Sequence, residues 1–156
     1  MTSDNWPTED VIGPFEGEYR YLSNFAPISV CHDGTEFATS EHAYQAAKAR
    51  DEPELYEQIA DSTEPDESKR LGRKASLPAD WDERKRYLML EIVTAKFSQN
   101  PEYREKLLAT GDQTIVELNS WGDTYWGAKS STGEGKNMLG RILMSVRSSL
   151  RFPRKH

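Results

Sequence analysis

Hydrophobic and polar positions change period several times along the chain, and each change predicts an element. Between Ile28 and Phe37 they alternate (Ile28, Val30, Thr35, Phe37) around Asp33-Gly34, a dipeptide suited to a type I′ turn, so a β-hairpin is expected. Residues 40–50, SEHAYQAAKAR, are rich in helix formers, with Thr39 or Ser40 as the N-cap. After Pro53, Leu55, Tyr56 and Ile59 turn inward on a second short helix, and residues 64–73 form a third that mostly faces solvent. Asp80-Trp81-Asp82-Glu83 fits a capping box. The helix it opens runs to about Ser98, with Leu88, Ile92 and Ala95 in one apolar row and Met89, Val93 and Phe97 in another. Such a wide apolar arc belongs in the centre of a fold. Asn100-Pro101 stops this helix and starts another, capped by Gly111. Residues 114–118 are β-branched and short, and predict a strand. A long loop, NSWGDTYWGAKSSTGEGKN, then leads into a last helix with Leu139, Ile142, Leu143, Val146 and Leu150 on one stripe.

The elements add up to a mainly α-helical α+β fold of about six helices with a small antiparallel sheet. Residues 1–12 are polar and carry Pro7, and read as a flexible lead-in to a single domain over 13–152. A length of 156 residues suits one core. The chain holds no apolar run near the roughly 18 residues that cross a bilayer, and its first residues lack the basic and apolar blocks of a secretion signal, so a cytoplasmic protein with no membrane contact is expected.

Charge and cysteine content narrow the chemistry. Lys and Arg number 20 against 26 Asp and Glu, a net charge of −6, which disfavours broad binding to a polyanionic backbone but leaves room for a small phosphorylated ligand. Cys31 is alone, so neither an intrachain disulfide nor a thiolate metal cluster can form. His32, His42 and His156 have no metal-ligand spacing. No metal or cofactor is therefore expected.

Four groups of residues could carry chemistry. Glu41, Gln45 and Lys48 share one helix face, because spacings of four and seven return to the same side. Either a carboxylate and an amine are presented together, or this is an ordinary solvated stripe. In the loop, Trp121, Tyr125 and Trp126 offer flat faces between Gly122 and Gly127, with Asp123 among them. A base or sugar could stack there beside a partly desolvated carboxylate; equally, the rings could plug the core and Asp123 cap a turn. Gly133-Glu134-Gly135-Lys136-Asn137 precedes the final helix, and free N–H groups beside a Lys would cradle phosphate. This stretch lacks the glycine spacing of a P-loop, and the other reading is an ordinary capped helix. Lys69-Arg70-Leu71-Gly72-Arg73-Lys74 is a basic knot that either pairs with nearby acids or holds phosphate.

Six blocks in order resemble the NADAR (YbiA-like) family: Tyr21-Leu22-Ser23-Asn24-Phe25, then the run Thr39 to Lys48, Ala95-Lys96-Phe97, Leu108-Ala109-Thr110-Gly111-Asp112, Tyr125-Trp126-Gly127, and Gly135-Lys136-Asn137-Met138-Leu139-Gly140. They span roughly residues 15 to 150. The resemblance implies a compact, largely helical domain that cleaves base–ribose N-glycosidic bonds. Its members act on phosphorylated riboflavin-pathway intermediates, or remove ADP-ribose from guanine in nucleic acid. It implies Glu41 as a catalytic carboxylate, Asp123 as a second, and Lys48 as the amine of a Schiff-base intermediate. Ser23, Asn24, Phe25, Gln45, Trp81, Gly127 and Asn137 are implied to hold substrate, while residue chemistry assigns the base to Tyr125 and Trp126 and the phosphate to Lys136 and Arg73. The polar loop after Gly127 looks longer than in shorter-looped members, which bears on substrate choice.

Residue chemistry agrees with that expectation. Breaking the bond builds positive charge on the ribose, which a carboxylate stabilises while an acid protonates the departing base. A lysine that attacks the sugar must be partly neutral, and burial provides this. The expected partner is a small phosphorylated nucleoside or ADP-ribose-like molecule, with a modified guanine in nucleic acid as the alternative. A non-catalytic nucleotide-binding module is the competing class, although a sensor of phosphorylated ligands has no use for two carboxylates.

Overall fold

The computed structural model describes residues 5–152. Residues 1–4 of the expected lead-in and His156 lie outside them. The chain gathers into two compact units: Asn24–Pro101, and the segments on either side, up to Ser23 and from Glu102 onward. Six α-helices and one 3₁₀ helix are present among the described residues, with a small antiparallel sheet, so the fold is α+β and mainly helical.

In the Asn24–Pro101 unit, β1 (Val30–His32) and β2 (Thr35–Phe37) form the expected hairpin, with Val30 opposite Phe37. Asp33 and Gly34 both take positive φ, 51° and 78°, as a type I′ turn demands. Next come α1 (Ser40–Lys48), α2 (Pro53–Asp61) and α3 (Pro65–Gly72). Each of the last two begins at a proline, which loses nothing at a position whose N–H has no helical partner. Helix α4 (Trp81–Gln99) packs on β1 and α1 and buries Met89, Ile92, Val93 and Phe97. Its capping box does not form. Asp80 caps no N–H with its side chain and instead lies 3.7 Å from Arg84, one turn along the helix.

In the other unit, a 3₁₀ helix (Gly17–Leu22) precedes α5 (Pro101–Ala109), β3 (Leu118–Asn119), β4 (Ala128–Lys129) and α6 (Met138–Arg151). Residues 114–118 do not make the predicted strand. Their backbone groups find other partners: Ile12 exchanges hydrogen bonds with Thr114 and Val116, and the Asn137 side chain bridges Ile115 O and Glu117 N–H. Only Leu118 and Asn119 pair, in parallel, with Ala128 and Lys129. Of the residues read as a lead-in, those from Asn5 onward are attached to this unit. Trp6 donates its backbone N–H to Gly133 O and its indole N–H to Gly135 O, and Ile12 is buried. Val116, Leu118 and Ala128 form a small core against which Trp6 and Val11 pack. Among the described residues, no helix is long and apolar enough to cross a membrane.

Candidate active site

Helix α1 carries the first group of predicted residues. Thr39 caps it, accepting the His42 N–H, and the Glu41 N–H is donated to the Asn24 carbonyl at 3.0 Å. The Asn24 side chain accepts from Ser40 Oγ at 2.9 Å. Asn24 thus satisfies the first turn of the helix and anchors Glu41 by its backbone. Glu41 is only 8% exposed, and its Oε2 accepts a 2.6 Å hydrogen bond from Gln45 Nε2, one turn along. The solvated-stripe reading of this face is therefore wrong: Glu41 and Gln45 are both buried, and a buried carboxylate needs such a donor.

Lys48, a further turn along, is half-buried with its ammonium 5.3 Å from the centre of the Tyr44 ring. Tyr44 in turn leans on Trp81, the first residue of α4, with ring centres 5.7 Å apart. Burial holds the Lys48 amine below the usual lysine range; Glu41 opposes this, and the positive charges of Lys69, Lys85 and Arg73 add to it. Lys48 and Trp81 line a cavity of about 530 Å³ together with Ala47, Arg50, Arg84 and Tyr87, a volume suited to a small molecule. Arg73 is exposed at the end of α3, and Phe25 is half-buried.

At another edge of this cavity stand His32, Asp33 and Glu91, whose donor atoms lie within 4.8 Å of one another. Sequence spacing did not join them, because Glu91 comes from a distant helix. The imidazole is already engaged, with Nε2 2.8 Å from Glu91 Oε1 and Nδ1 3.8 Å from Asp33. His42 is a structural histidine. Its Nε2 lies 2.9 Å from the Ser62 carbonyl and its Nδ1 2.8 Å from Thr39 Oγ1, so Nε2 donates to that carbonyl.

The second group lies in the other unit. Asp123 Oδ1 accepts the N–H groups of Tyr125 and Trp126 at 3.1 and 2.9 Å. Asn119, a residue the sequence reading passed over, holds both the N–H and the carbonyl of Asp123. Asp123 is thus a turn cap whose carboxylate direction is set by the backbone. Tyr125 and Trp126 meet edge to face, and Lys136 Nζ lies 5.6 Å from the Tyr125 ring centre. Trp121 is 70% exposed and does not plug the core. Ser23 closes the 3₁₀ helix through its N–H to Arg20 O.

The expected phosphate cradle at the start of α6 is not available. The N–H groups of Lys136, Asn137, Met138 and Leu139 are donated to the carbonyls of Thr124, Gly127, Tyr125 and Trp126. The loop has folded onto the helix end and taken the donors that a phosphate would use. Asn137 is fully buried, and its side chain is spent on Ile115 and Glu117; it organises the backbone rather than meeting substrate. Sequence reasoning also missed Tyr44, which touches both Lys48 and Trp81 and in the sequence looks like an ordinary helix residue.

The chain is similar to several known proteins. N-glycosidase YbiA of Escherichia coli is 39% identical over 135 residues, covering 85% of this chain and 82% of the relative. An N-glycosidase of Nostoc punctiforme is 39% identical over 137 residues, covering 85% and 86%. A larger riboflavin biosynthesis protein of Vibrio vulnificus is 39% identical over 134 residues, which are 85% of this chain and 36% of that protein. The NMR structure of E. coli YbiA superposes with a TM-score of 0.81 at 35% identity, covering 94% of this chain and 90% of that one. The NADAR domain model matches residues 12–151, and on that match and these relatives the chain belongs to the NADAR family.

Proposed function

We propose that this chain is a metal-independent N-glycosidase that hydrolyses the base–ribose bond of a small phosphorylated nucleotide-like substrate of the riboflavin-pathway type. The observation that carries the reading is on α1: a buried, hydrogen-bonded carboxylate at Glu41, and two turns on, at the wall of a cavity, a half-buried amine at Lys48 whose pKa burial lowers. The names of the relatives, N-glycosidases and riboflavin biosynthesis proteins, support the same substrate class. As the glycosidic bond breaks, Glu41 stabilises the positive charge that develops on the ribose. The Lys48 amine adds to C1 of the opened sugar as the base leaves with a proton, and water then hydrolyses the imine to free sugar and amine. Trp81 provides an apolar wall for the heterocycle. Lys69, Arg73 and Lys85, whose charges reach Lys48, draw the phosphate to that end of α1.

Glu41→Gln keeps a side chain able to bond Gln45 and removes the charge. It is expected to fold normally and to lose roughly 10²- to 10⁴-fold in base release, measured on a ribosylated, phosphorylated riboflavin-pathway heterocycle. Borohydride added during turnover is expected to trap a sugar adduct on Lys48. An adduct that persists in Lys48→Ala, or wild-type turnover by Glu41→Gln, contradicts the mechanism. The same cationic group would also accept the diphosphate of ADP-ribose. Measuring guanine freed from ADP-ribosylated oligonucleotide beside the small substrate separates the two.

A further inference from the structure

Gly72 is the last residue of α3, where alanine would be the better helix former, and its backbone lies outside the positive-φ region that calls for glycine. Packing against α1 accounts for the glycine. A Cβ on residue 72 would land on Gln45 Oε1, and would stand only 2.9 Å from its Cδ and 3.3 Å from its Cβ. One turn earlier on α3 is Ser68, also small and fully buried, with its hydroxyl turned back to the Pro65 carbonyl. The two small residues let α3 approach α1 closely enough for the Gln45 amide to occupy the space a side chain would fill.

What the amide does in that space is unusual. Gln45 is 3% exposed, and its Oε1 accepts no hydrogen bond among the described residues, while Nε2 donates to Glu41 at 2.6 Å. A buried carbonyl oxygen without a donor costs stability. Rotating the amide would not relieve this, because it would set the oxygen against the Glu41 carboxylate. The side chain keeps an orientation that is costly for itself and favourable for Glu41.

We propose that Gly72 and Gln45 are positioning residues that hold the Glu41 carboxylate in its working direction, with Gly72 acting through Gln45. The proposal rests on Glu41 being the catalytic carboxylate. A methyl group at residue 72 pushes the amide off its site, releases the carboxylate, and misdirects it by the fraction of an ångström that slows an enzyme without weakening substrate binding.

The test is a double-mutant cycle read in kcat and KM, at a temperature well below the melting point of every variant. Gly72→Ala and Gln45→Ala are each expected to lower kcat roughly tenfold or more with KM nearly unchanged. In the Gln45→Ala background, Gly72→Ala is expected to cost nothing further, since the methyl enters vacated space. That background also keeps the test open if Gly72→Ala alone does not fold. Recovered folding with the kcat of Gln45→Ala supports the proposal. Full kcat in Gln45→Ala, losses that multiply in the double variant, or an effect confined to KM overturns it. Glu41→Gln is measured in parallel. If it is inactive while Gln45→Ala turns over normally, only the positioning role fails; if it is fully active, or the wild-type chain releases no base, the catalytic reading fails with it.

Discussion

Lys48 shows how much a single residue depends on its surroundings. In sequence it is the third member of a polar stripe, and nothing in the spacing separates it from a solvated lysine. In the structure it is half-buried over Tyr44, and burial, more than any neighbouring charge, lowers its pKa. If Lys48 forms the proposed imine, that step is expected to gain rate with rising pH as the amine loses its proton, and to level off below the pH at which a solvated lysine would. Among the charged neighbours, Lys69 lowers the Lys48 pKa and Glu41 raises it. Lys69→Gln is thus expected to move the half-point of borohydride trapping to higher pH, a shift followed by mass spectrometry across a pH series. An unmoved profile would mean that Lys69 is screened from the amine. Asp123 makes the converse point. Its place among aromatic residues suggested a desolvated catalyst, and the turn-capping alternative proves correct for one of its oxygens.

Among the elements, two helix N-termini have opposite fates. The start of α1 is satisfied by Thr39 and Asn24, and that of α6 by carbonyls of residues 124–127. The first arrangement delivers a buried carboxylate, and the second consumes the donors expected to bind phosphate. Helix α1 is also tied to the end of α2 by His42, which is fully buried and bonded to Thr39 and Ser62. Burial lowers its pKa below 6.5, more strongly than the Ser62 carbonyl, Glu64 and Glu67 raise it. Below the unfolded value the unfolded chain binds a proton that the folded chain refuses. The stability His42 contributes is therefore present above about pH 6.5 and is lost as the pH falls through its folded pKa. His42→Gln keeps a donor for the Ser62 carbonyl but does not titrate. Urea midpoints between pH 7.5 and pH 5 are expected to fall less in that variant than in the wild type, and parallel curves would refute the linkage.

At the scale of the whole molecule, a net charge of −6 repels an extended polyanion while leaving local cations around Lys48. If the chain does act on ADP-ribosylated guanine in duplex, few phosphates can be neutralised, so the logarithm of the observed affinity should fall with log salt with a slope of only about one or two. A steep slope, measured by fluorescence anisotropy on a labelled duplex, would point to a broad nucleic-acid surface that this charge balance does not suggest. The family match over residues 12–151 and the superposition on E. coli YbiA extend across both compact units.

The positions of the helices, the β1–β2 hairpin and the candidacy of Glu41 and Lys48 were all legible in the sequence. Periodicity, proline and glycine act over a few residues, and six short blocks in order identify a family. Which polar groups are exposed and which are already bonded was not legible. The 114–118 strand was lost to Ile12 and Asn137, the α6 N–H groups to a folded loop, and the solvated stripe to burial against α3 and α4. Each of these outcomes depends on hydrogen-bond competition or close approach between segments distant in sequence. Gly72 is the clearest case, for only the packing of α3 on α1 gives its missing side chain a meaning.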